Sequence, residues 1–505
     1  MATDKDQLDG DAGARIDQAG RQVSFTVLAS VLAMALRYVA ALITTRILGI
    51  ALFGSYVQAQ TVTQLLSMTA TLGLVPGVVP FVARARLADD PAGLRAVVRA
   101  TWAITLIASS LTAAALFFLA PWLAESAYRD PALEQILRWL APLVAFSAIM
   151  LGSLAIAQGF KAMRVHALIE KVVTVVATLT GLLVTWWFEL GLPGVLVATL
   201  LGPAAGLLCS VGFLRARVPG VLSAGSPAAP WPVGSLLRTC WPLLGSGLIA
   251  FALTSVNVVL LGVLDDPGEV GKYGAAVRML PVVFVVHQSA AQLFYAHASE
   301  RYAAGDIAGV NALYKRTARW SIWSSTGTAL LLIVWGREIL GLFGPEFAAG
   351  GPALAMLALG HAATAMTGAC GKALIAMGRI RQNMINVVSM LGINTALSLL
   401  WIPEHGAYGA ACATMTSLAV VRIAQAAQIW WSFRIHPWSP DSLVALLAGG
   451  VVYVFAQPLR DSLGGALGWF AAMATFGLAW LALYAAFGLG PEDRASLRRL
   501  LGQRR

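Results

Sequence analysis

The sequence has few charged residues, and the central parts of its long apolar runs contain no Asp or Glu. Charged residues make up 12% of the 505 residues, roughly half the share in an average soluble domain, whereas hydrophobic residues make up 58%. A water-soluble fold could not cover that much apolar surface. The missing carboxylates disfavour an exporter of cationic drugs driven by protons or sodium, because such a transporter normally needs one inside its cavity.

Cysteine is also scarce, and sequence signatures of catalysis are absent. The four cysteines lie singly in or beside apolar runs, with no CxxC pair, and we expect them to pack inside the membrane. No HExxH, GxSxG or Walker sequence occurs, and the longest predicted external loop, about 121–135, is too short for a catalytic domain. We therefore expect a protein that is not an enzyme and that needs no cofactor and no metal.

What the sequence does contain is a series of apolar runs. Most have about 18 to 25 residues, long enough at ~1.5 Å per residue to cross a hydrocarbon core of ~30 Å. The pattern predicts an all-α polytopic membrane protein with about fourteen transmembrane helices. The predicted segments, numbered 1 to 14, cover 23–44, 56–80, 98–120, 136–157, 167–187, 193–214, 239–262, 272–298, 319–336, 351–371, 384–402, 408–431, 441–458 and 466–488.

Lys and Arg are distributed unequally between alternate loops. Counting Lys and Arg outside the predicted spans or at their ends, 26 of the 35 cations lie on the side of the N-terminal tail and six on the opposite side, whereas Arg37, Arg278 and Arg422 lie farther inside predicted spans. The positive-inside rule then places both termini in the cytoplasm of a multi-pass protein, which we expect in the bacterial inner (plasma) membrane. The net charge of +11 is explained by this topology, so we expect no nucleic-acid partner.

The sequence contains an internal duplication with a unit of about 216 residues. Residues 186–199 and 401–414 agree at six of fourteen positions without a gap, and Gly54-Ser-Tyr56 pairs with Gly271-Lys-Tyr273. Six segments per unit make a parallel repeat, which predicts two six-helix lobes around a central cavity. The predicted domains are a cytoplasmic tail (1–22), an N-lobe (23–214), a cytoplasmic linker (215–238), a C-lobe (239–431), an appended helix pair (441–488) and a basic cytoplasmic tail (489–505).

Arginine inside a predicted span is the strongest functional signal. An Arg in mid-membrane costs at least about 2.5 kcal/mol of insertion free energy unless it meets water, a partner or a substrate. Guanidinium groups bind phosphate or pyrophosphate through paired hydrogen bonds, so Arg37 and Arg278 suit an anionic cargo. Arg278 lies only five residues past Tyr273, and reaching the outer headgroups is an alternative for it. Gln60, Gln64, Asn257 and Gln292 are further cavity candidates, with holding helices together as their alternative role.

Two histidines within predicted spans, His287 and His361, are candidates for proton coupling, because imidazole titrates near neutral pH. Bonding a neighbouring helix is the alternative for each. We expect H⁺ or Na⁺ to be the ion whose movement is coupled to transport through the predicted cavity.

A local motif links the sequence to a known family. The stretch Thr45-Arg-Ile-Leu-Gly-Ile-Ala-Leu-Phe-Gly-Ser-Tyr56 joins segment 1 to a segment with a polar stripe. It resembles the start of bacterial polysaccharide flippases, the Wzx-type oligosaccharide translocases. These share the multidrug/oligosaccharidyl-lipid/polysaccharide (MOP) exporter superfamily with lipid II flippases and multidrug and toxin extrusion transporters. The resemblance covers nearly the whole chain in helix count, repeat and loop lengths.

This resemblance implies a cationic cavity lined by segments 1, 2, 7 and 8, with Arg37, Arg46 and Arg278 binding pyrophosphate. The implied cargo is an anionic glycan linked to undecaprenyl pyrophosphate. It moves from the cytoplasmic to the periplasmic leaflet by alternating access, for surface polysaccharide biosynthesis. Segments 13 and 14 resemble an extra pair that can form a groove for the lipid tail. Membrane lipids and polysaccharide assembly proteins are the other implied partners.

Three alternative functions stay open at this point. A lipid II flippase would share the fold and the anionic cargo. A cation-coupled multidrug exporter would share the fold, but the missing carboxylates disfavour it. A membrane-embedded glycan polymerase or ligase would be an enzyme, and such proteins usually carry a sizeable external loop, which this sequence lacks.

Overall fold

The protein is almost entirely helical. A computed structural model describes residues 2–221, 233–462, 465–490 and 493–494, and all regular structure among them is helical, which confirms the all-α fold class. By their internal contacts the residues form two compact units, Met1–Ser255 and Val256–Arg505. The domain limits drawn from the sequence stay a prediction. Outside the described residues lie residue 1, residues 222–232 of the linker, 463–464 of the appended pair, and 491–492 and 495–505 of the basic tail.

The first unit is built from eight helices and most of a ninth, which ends in the second unit. Short π-helical stretches, Leu123–Ala127 and Leu168–Val173, extend α4 and join α6 to α7. The helices are α1 (Ala2–Ala70), α2 (Leu74–Gly77), α3 (Val79–Leu87), α4 (Pro91–Trp122), α5 (Pro131–Gly159), α6 (Met163–Ala167), α7 (Thr174–Trp187), α8 (Gly191–Arg217) and α9 (Val233–Leu264).

The second unit continues with eight more α-helices. A 3₁₀ helix, Pro345–Gly350, precedes α13, and a π-helical turn, Tyr484–Gly488, ends α17. The helices are α10 (Pro267–Met279), α11 (Pro281–Ala303), α12 (Ile307–Gly341), α13 (Gly351–Met366), α14 (Cys370–Ala376), α15 (Ile380–Phe433), α16 (Pro440–Ser462) and α17 (Gly465–Leu483).

Every one of the predicted segments falls on helix. Among the described residues, nine helical stretches are long and apolar enough to cross a membrane, or ten when α10 and α11, bent by 44°, count as one span. Two of the nine, Leu32–Ala70 and Ile380–Phe433, each hold two predicted segments. Segment 13 lies on the shorter apolar stretch Ser442–Pro458. Large exposed side chains such as Phe118 and Trp187 fit a surface that faces lipid.

Two glycines turn the chain where a long helix holds two spans. Gly49 in α1 has φ 69° and ψ 178°, and Gly406 in α15 has φ 52° and ψ −131°. Side chains other than glycine rarely adopt positive φ, so glycine allows the bend between the flanking helices. At Gly406 the space is also closed, because an added Cβ would lie 2.6 Å from the Oε2 atom of Glu269. The segment boundaries near 44–56 and 402–408 are explained by these bends.

Three helices begin with the same dipeptide, Asp-Pro. The carboxylates of Asp90, Asp130 and Asp266 accept hydrogen bonds from backbone N–H groups in the first turns of α4, α5 and α10, at 2.8, 3.1 and 2.6 Å. The following proline occupies the first helical position, where no N–H is needed. Each Asp therefore fixes where a helix starts, and the aspartates lie at helix ends instead of in mid-span.

Helices α16 and α17, which carry segments 13 and 14, pack on α12. The indole N–H of Trp480 donates to the carbonyl of Trp323 at 3.0 Å, and the two rings lie 5.3 Å apart. Gly327 makes room for this ring, since an added Cβ would lie 2.1 Å from the indole nitrogen. Arg460 and Glu338 form a second link, with Nε and Oε1 2.7 Å apart. Two separate contacts therefore hold the appended pair against α12, the Trp480–Trp323 contact and the Arg460–Glu338 ion pair.

A third link ties the chain after α17 to the start of α12. The carboxylate of Asp493 accepts from Arg316 Nε at 2.8 Å, from Arg319 Nη2 at 2.7 Å and from Trp320 Nε1 at 3.2 Å. Burial alone would raise the pKa of Asp493, but these hydrogen bonds outweigh it and hold the pKa below its usual value.

Replacing Asp493 by Asn is expected to lower the free energy of unfolding by about 1–3 kcal/mol at pH 7, because two arginines lose their anionic partner. A carboxylate with a depressed folded pKa stabilises above the unfolded pKa of about 3.9, and that stability is lost as the pH falls through the folded pKa. Thermal unfolding of the purified protein should therefore show a gap between wild type and variant at pH 7 that closes in acid. A gap that stayed constant down to the lowest pH would refute the electrostatic origin.

Candidate functional site

Equivalent tyrosines in the two units make equivalent contacts. In the first unit, Tyr56 on α1 is buried and its hydroxyl lies 2.7 Å from that of Thr199 on α8. In the second unit, Tyr273 on α10 is buried and its hydroxyl lies 3.4 Å from that of Thr414 on α15. Both tyrosine–threonine pairs fall within the repeated sequences, so the two units share these contacts as well as these residues. Each pair joins the second span of its unit to the sixth.

Asn257 on α9 lies at the centre of this contact in the second unit. Its amide nitrogen donates to the Tyr273 hydroxyl at 3.1 Å and to the Thr414 hydroxyl at 2.6 Å, and Ser398 donates to its amide oxygen at 2.9 Å. The residue is 4% exposed, and its polar atoms are used by neighbouring helices. The structure therefore shows Asn257 joining α9, α10 and α15.

The candidates in the first unit lie on both sides of the bend in α1. Arg37, Arg46 and Gln64 are exposed, and Gln60 is half-buried. The Gln60 amide donates to the Tyr56 hydroxyl at 2.7 Å. Gln60 thus belongs to the Tyr56–Thr199 contact, whereas Arg37 and Gln64 present polar groups at the surface of the unit.

Arg278 lies next to the break between α10 and α11. Pro281 has no N–H to donate, and the two helices meet there at 44°. The Arg278 guanidinium is half-buried and donates from Nη1 to the carbonyl of Gly274 at 2.9 Å. A positive charge at the last turn of a helix is favoured by the helix dipole. The break holds this charge inside predicted segment 8 and leaves part of the guanidinium exposed.

Helix α11 presents a polar stripe that includes two residues not predicted as sites, Gln288 and Ser289. Gln292 is exposed, and so are Gln288 and Ser289 one turn before it. Gln288 and Gln292 have the same four-residue spacing as Gln60 and Gln64 on α1. That spacing was available in the sequence and would have identified Gln288.

The two candidate histidines lie near a third intramembrane arginine, Arg422 on α15. His287 on α11 is buried, and its Nδ1 has no hydrogen-bond partner among the described residues. His361 on α13 is half-buried and stacks on Phe284, with ring centroids 5.1 Å apart. The charge of Arg422 acts on both rings. Arg422 was not predicted as a site residue, although its position within a span is the same signal that identified Arg37 and Arg278.

Carboxylates in the described part of the second unit lie near helix ends. Glu269, in the first turn of α10, contacts Lys272 and accepts from the backbone N–H of Ala407 at 2.9 Å. Asp265, between α9 and α10, has a raised pKa, chiefly because it is partly buried. A cavity of about 400 Å³ opens beside Glu269 and is lined by Lys272, Ala349, Gly350, Pro352, Ala353, His405, Ala407 and Tyr408. Its lining residues come from α10, the 3₁₀ helix, α13 and α15.

Solved structures with the same fold are a flippase and several transporters. A lipid II flippase MurJ in an inward closed conformation matches with a TM-score of 0.73 at 14% identity, covering 92% of this chain and 98% of that one. An inward-facing multidrug resistance MATE family transporter of the MOP superfamily has a TM-score of 0.62 at 14% identity, covering 78% and 92%. A MOP superfamily transporter from Pyrococcus furiosus has a TM-score of 0.54 at 13% identity, covering 80% and 93%.

The sequence itself matches one family model. No curated protein matches the chain. The model described as polysaccharide biosynthesis protein matches residues 19–294, more than half of the chain. The solved structures show that the chain shares a fold with MurJ and with a transporter of the MOP superfamily. The chain is therefore a multi-span membrane protein that belongs to the polysaccharide biosynthesis protein family.

Proposed function

We propose that this protein flips an oligosaccharide linked to polyprenyl pyrophosphate from the cytoplasmic to the periplasmic leaflet of the bacterial inner membrane. The flipped unit would supply surface polysaccharide biosynthesis. Family membership supports a role in polysaccharide biosynthesis and the fold supports a flippase-type transporter. The observation that carries the proposal is the sign of the intramembrane charge: Arg37, Arg278 and Arg422 lie in predicted spans, whose central parts hold no Asp or Glu.

The proposed substrate contacts divide by chemistry. Arg37 and Arg278, with Arg46 near the end of its span, bind the pyrophosphate, because guanidinium groups donate paired hydrogen bonds to phosphate oxygens. Gln64, Gln288 and Gln292 are exposed amides that can donate to and accept from sugar hydroxyls. Gln60 and Asn257 are further candidates that also hold buried contacts within their own units, because their amides are bonded to Tyr56 and Tyr273.

The orientation and coupling are proposals of the same kind. The distribution of Lys and Arg supports cytoplasmic termini. Transport proceeds by alternating access, coupled to H⁺ or Na⁺, with His287 and His361 as the candidates for a proton. Polysaccharide assembly proteins would receive the flipped unit.

A second candidate function is lipid II transport. It is favoured by one observation, the similarity to the MurJ structure over 92% of this chain, against 78% for the MATE transporter. Both cargoes carry a polyprenyl pyrophosphate, so the same arginines would serve either.

Deletion of the gene in its source bacterium separates the two candidates. We expect surface glycan to disappear while its lipid-linked precursor accumulates on the cytoplasmic leaflet, and a plasmid copy of the gene to restore export. Unchanged surface glycan together with accumulation of lipid II would refute the oligosaccharide proposal and support the second candidate. Unchanged levels of both lipid-linked precursors would refute the flippase function itself.

A further inference from the structure

The guanidinium of Arg422, a half-buried residue of the second unit, is incompletely bonded. The residue lies on α15, about three turns before the helix ends at Phe433. Its Nη1 donates to the side-chain oxygen of Gln425 at 2.9 Å. Its Nε is buried and has no hydrogen-bond partner among the described residues. A charged donor that is removed from water in this way is costly unless something else binds it.

The ionisable groups around Arg422 supply no counter-charge. Tyr314 and Cys370 belong to the core cluster that packs Ala291 of α11 against Ala426 of α15. His287 and Arg422 each lie one turn before those alanines. Of these described side chains, none is a carboxylate. The Tyr314 hydroxyl and the Cys370 thiol both donate to the carbonyl of Thr367, at 2.7 and 2.8 Å, so their hydrogens are already used. Phenols and thiols are ordinarily neutral at pH 7.

A second donor points to the same kind of ligand. The buried Nδ1 of His287 also has no partner, and a neutral imidazole can carry its proton on that atom and donate. Space nearby is limited, because a Cβ added to Gly371 would lie 3.0 Å from Asn383 Oδ1 and 3.6 Å from Arg422 Nη1. Positive charge and unused N–H donors exclude a cation, and the tight packing disfavours an anion as large as phosphate.

We propose that Arg422 binds a small inorganic anion with the charge and size of chloride, with His287 donating to the same ion. The ion is a counter-charge that links α15 to α11 inside the second unit. This site uses neither Arg37 nor Arg278, and it does not depend on which lipid-linked molecule the protein carries.

Thermal unfolding in two salts tests the proposal. The protein is purified in a neutral detergent without phospholipid and unfolded in sodium chloride or in sodium gluconate of equal ionic strength, since gluconate is too large for the site. Relative to gluconate, we expect chloride or bromide to raise the midpoint temperature of unfolding by about 3 °C or more, and the increase should saturate with halide concentration. Equal midpoints in both salts would overturn the proposal.

The matched variants are Arg422→Gln and Arg381→Gln, the latter at an exposed arginine of the same helix. Arg422→Gln should lose the response to halide, whereas Arg381→Gln should keep it. In gluconate, Arg422→Gln should unfold no lower than wild type, because it removes a half-buried charge that has no carboxylate partner. An undiminished halide response in Arg422→Gln would overturn the assignment.

A binding measurement covers the case in which Arg422→Gln does not fold. Equilibrium dialysis with radiolabelled chloride should show saturable binding by wild type that excess bromide displaces. Arg422→Lys keeps the charge but loses the planar donor pair, and its affinity should fall at least tenfold. No saturable binding to wild type would overturn the proposal. Stabilisation by phosphatidylglycerol in gluconate, without any halide response, would overturn it in favour of a lipid phosphate.

Discussion

Replacing Arg278 by Gln is expected to slow translocation of a lipid-linked anionic cargo by at least tenfold, and Arg37→Gln should have a similar effect. A hydrogen bond from a charged donor contributes about 1.5–3 kcal/mol, and each 1.4 kcal/mol corresponds to a factor of ten. Initial rates measured in proteoliposomes at equal protein content provide the test. The effect should grow with the number of phosphates on the cargo and be small for a cargo that lacks them.

The control for this pair is Arg138→Gln. Arg138 is an exposed arginine whose Nη1 lies 2.7 Å from Glu134 Oε1 on the same helix, at the end of the first unit away from the predicted cytoplasmic loops. Its replacement should leave the rate unchanged. Arg278→Lys should recover part of the rate, because charge is kept while the paired donors are lost. Wild-type rates in folded Arg37→Gln and Arg278→Gln proteins would rule out cargo binding by these arginines.

Replacing Asn257 by Leu is expected to lower the free energy of unfolding by about 3–5 kcal/mol. Leucine has a similar volume but leaves the Ser398 hydroxyl without its acceptor and removes the donor to Tyr273 and Thr414, and a buried polar group left unpaired costs about 1–3 kcal/mol. Thermal and denaturant unfolding in detergent would measure the loss.

Thr254→Val is the matched control, since Thr254 lies one turn earlier on α9, is exposed and bonds only within its own helix and to Ser255. Its effect should stay within about 0.5 kcal/mol. If Asn257→Leu unfolded at the wild-type midpoint, the contact with Tyr273 and Thr414 would not be a structural junction.

The spans and the duplication were predictable from the sequence because both depend on local patterns. The lengths of the apolar runs predicted segments that all fall on helices. Tyr56 and Tyr273 correspond in the sequence repeat, and each makes a buried contact with a threonine of its own unit. Segment 9 lies on α12, which is rich in Ser and Thr and is not among the most apolar stretches. Its hydroxyls are satisfied within the helix, as when that of Ser321 donates to the carbonyl of Thr317 one turn earlier at 2.9 Å.

The depth and partners of polar side chains were not predictable in the same way. Helical periodicity shows which residues share a face, but it does not show whether that face meets another helix. Asn257 and Gln292 were therefore predicted alike, whereas Asn257 is buried among four polar partners and Gln292 is exposed. The surroundings of Arg422 depend on α11, α13 and α14, which are far from it in sequence, so only the fold brings its histidine neighbours into range.

The most direct test of the central claim is translocation by the purified protein. Proteoliposomes would carry a fluorescent oligosaccharide on polyprenyl pyrophosphate in both leaflets, and a membrane-impermeant quencher would report the fraction outside. Parallel vesicles would carry labelled lipid II or a cationic drug. We predict that wild-type protein makes the inner-leaflet oligosaccharide accessible faster than either alternative cargo, and that Arg278→Gln does not. Transport of the cationic drug, with the lipid-linked oligosaccharide left in its leaflet, would contradict the proposal.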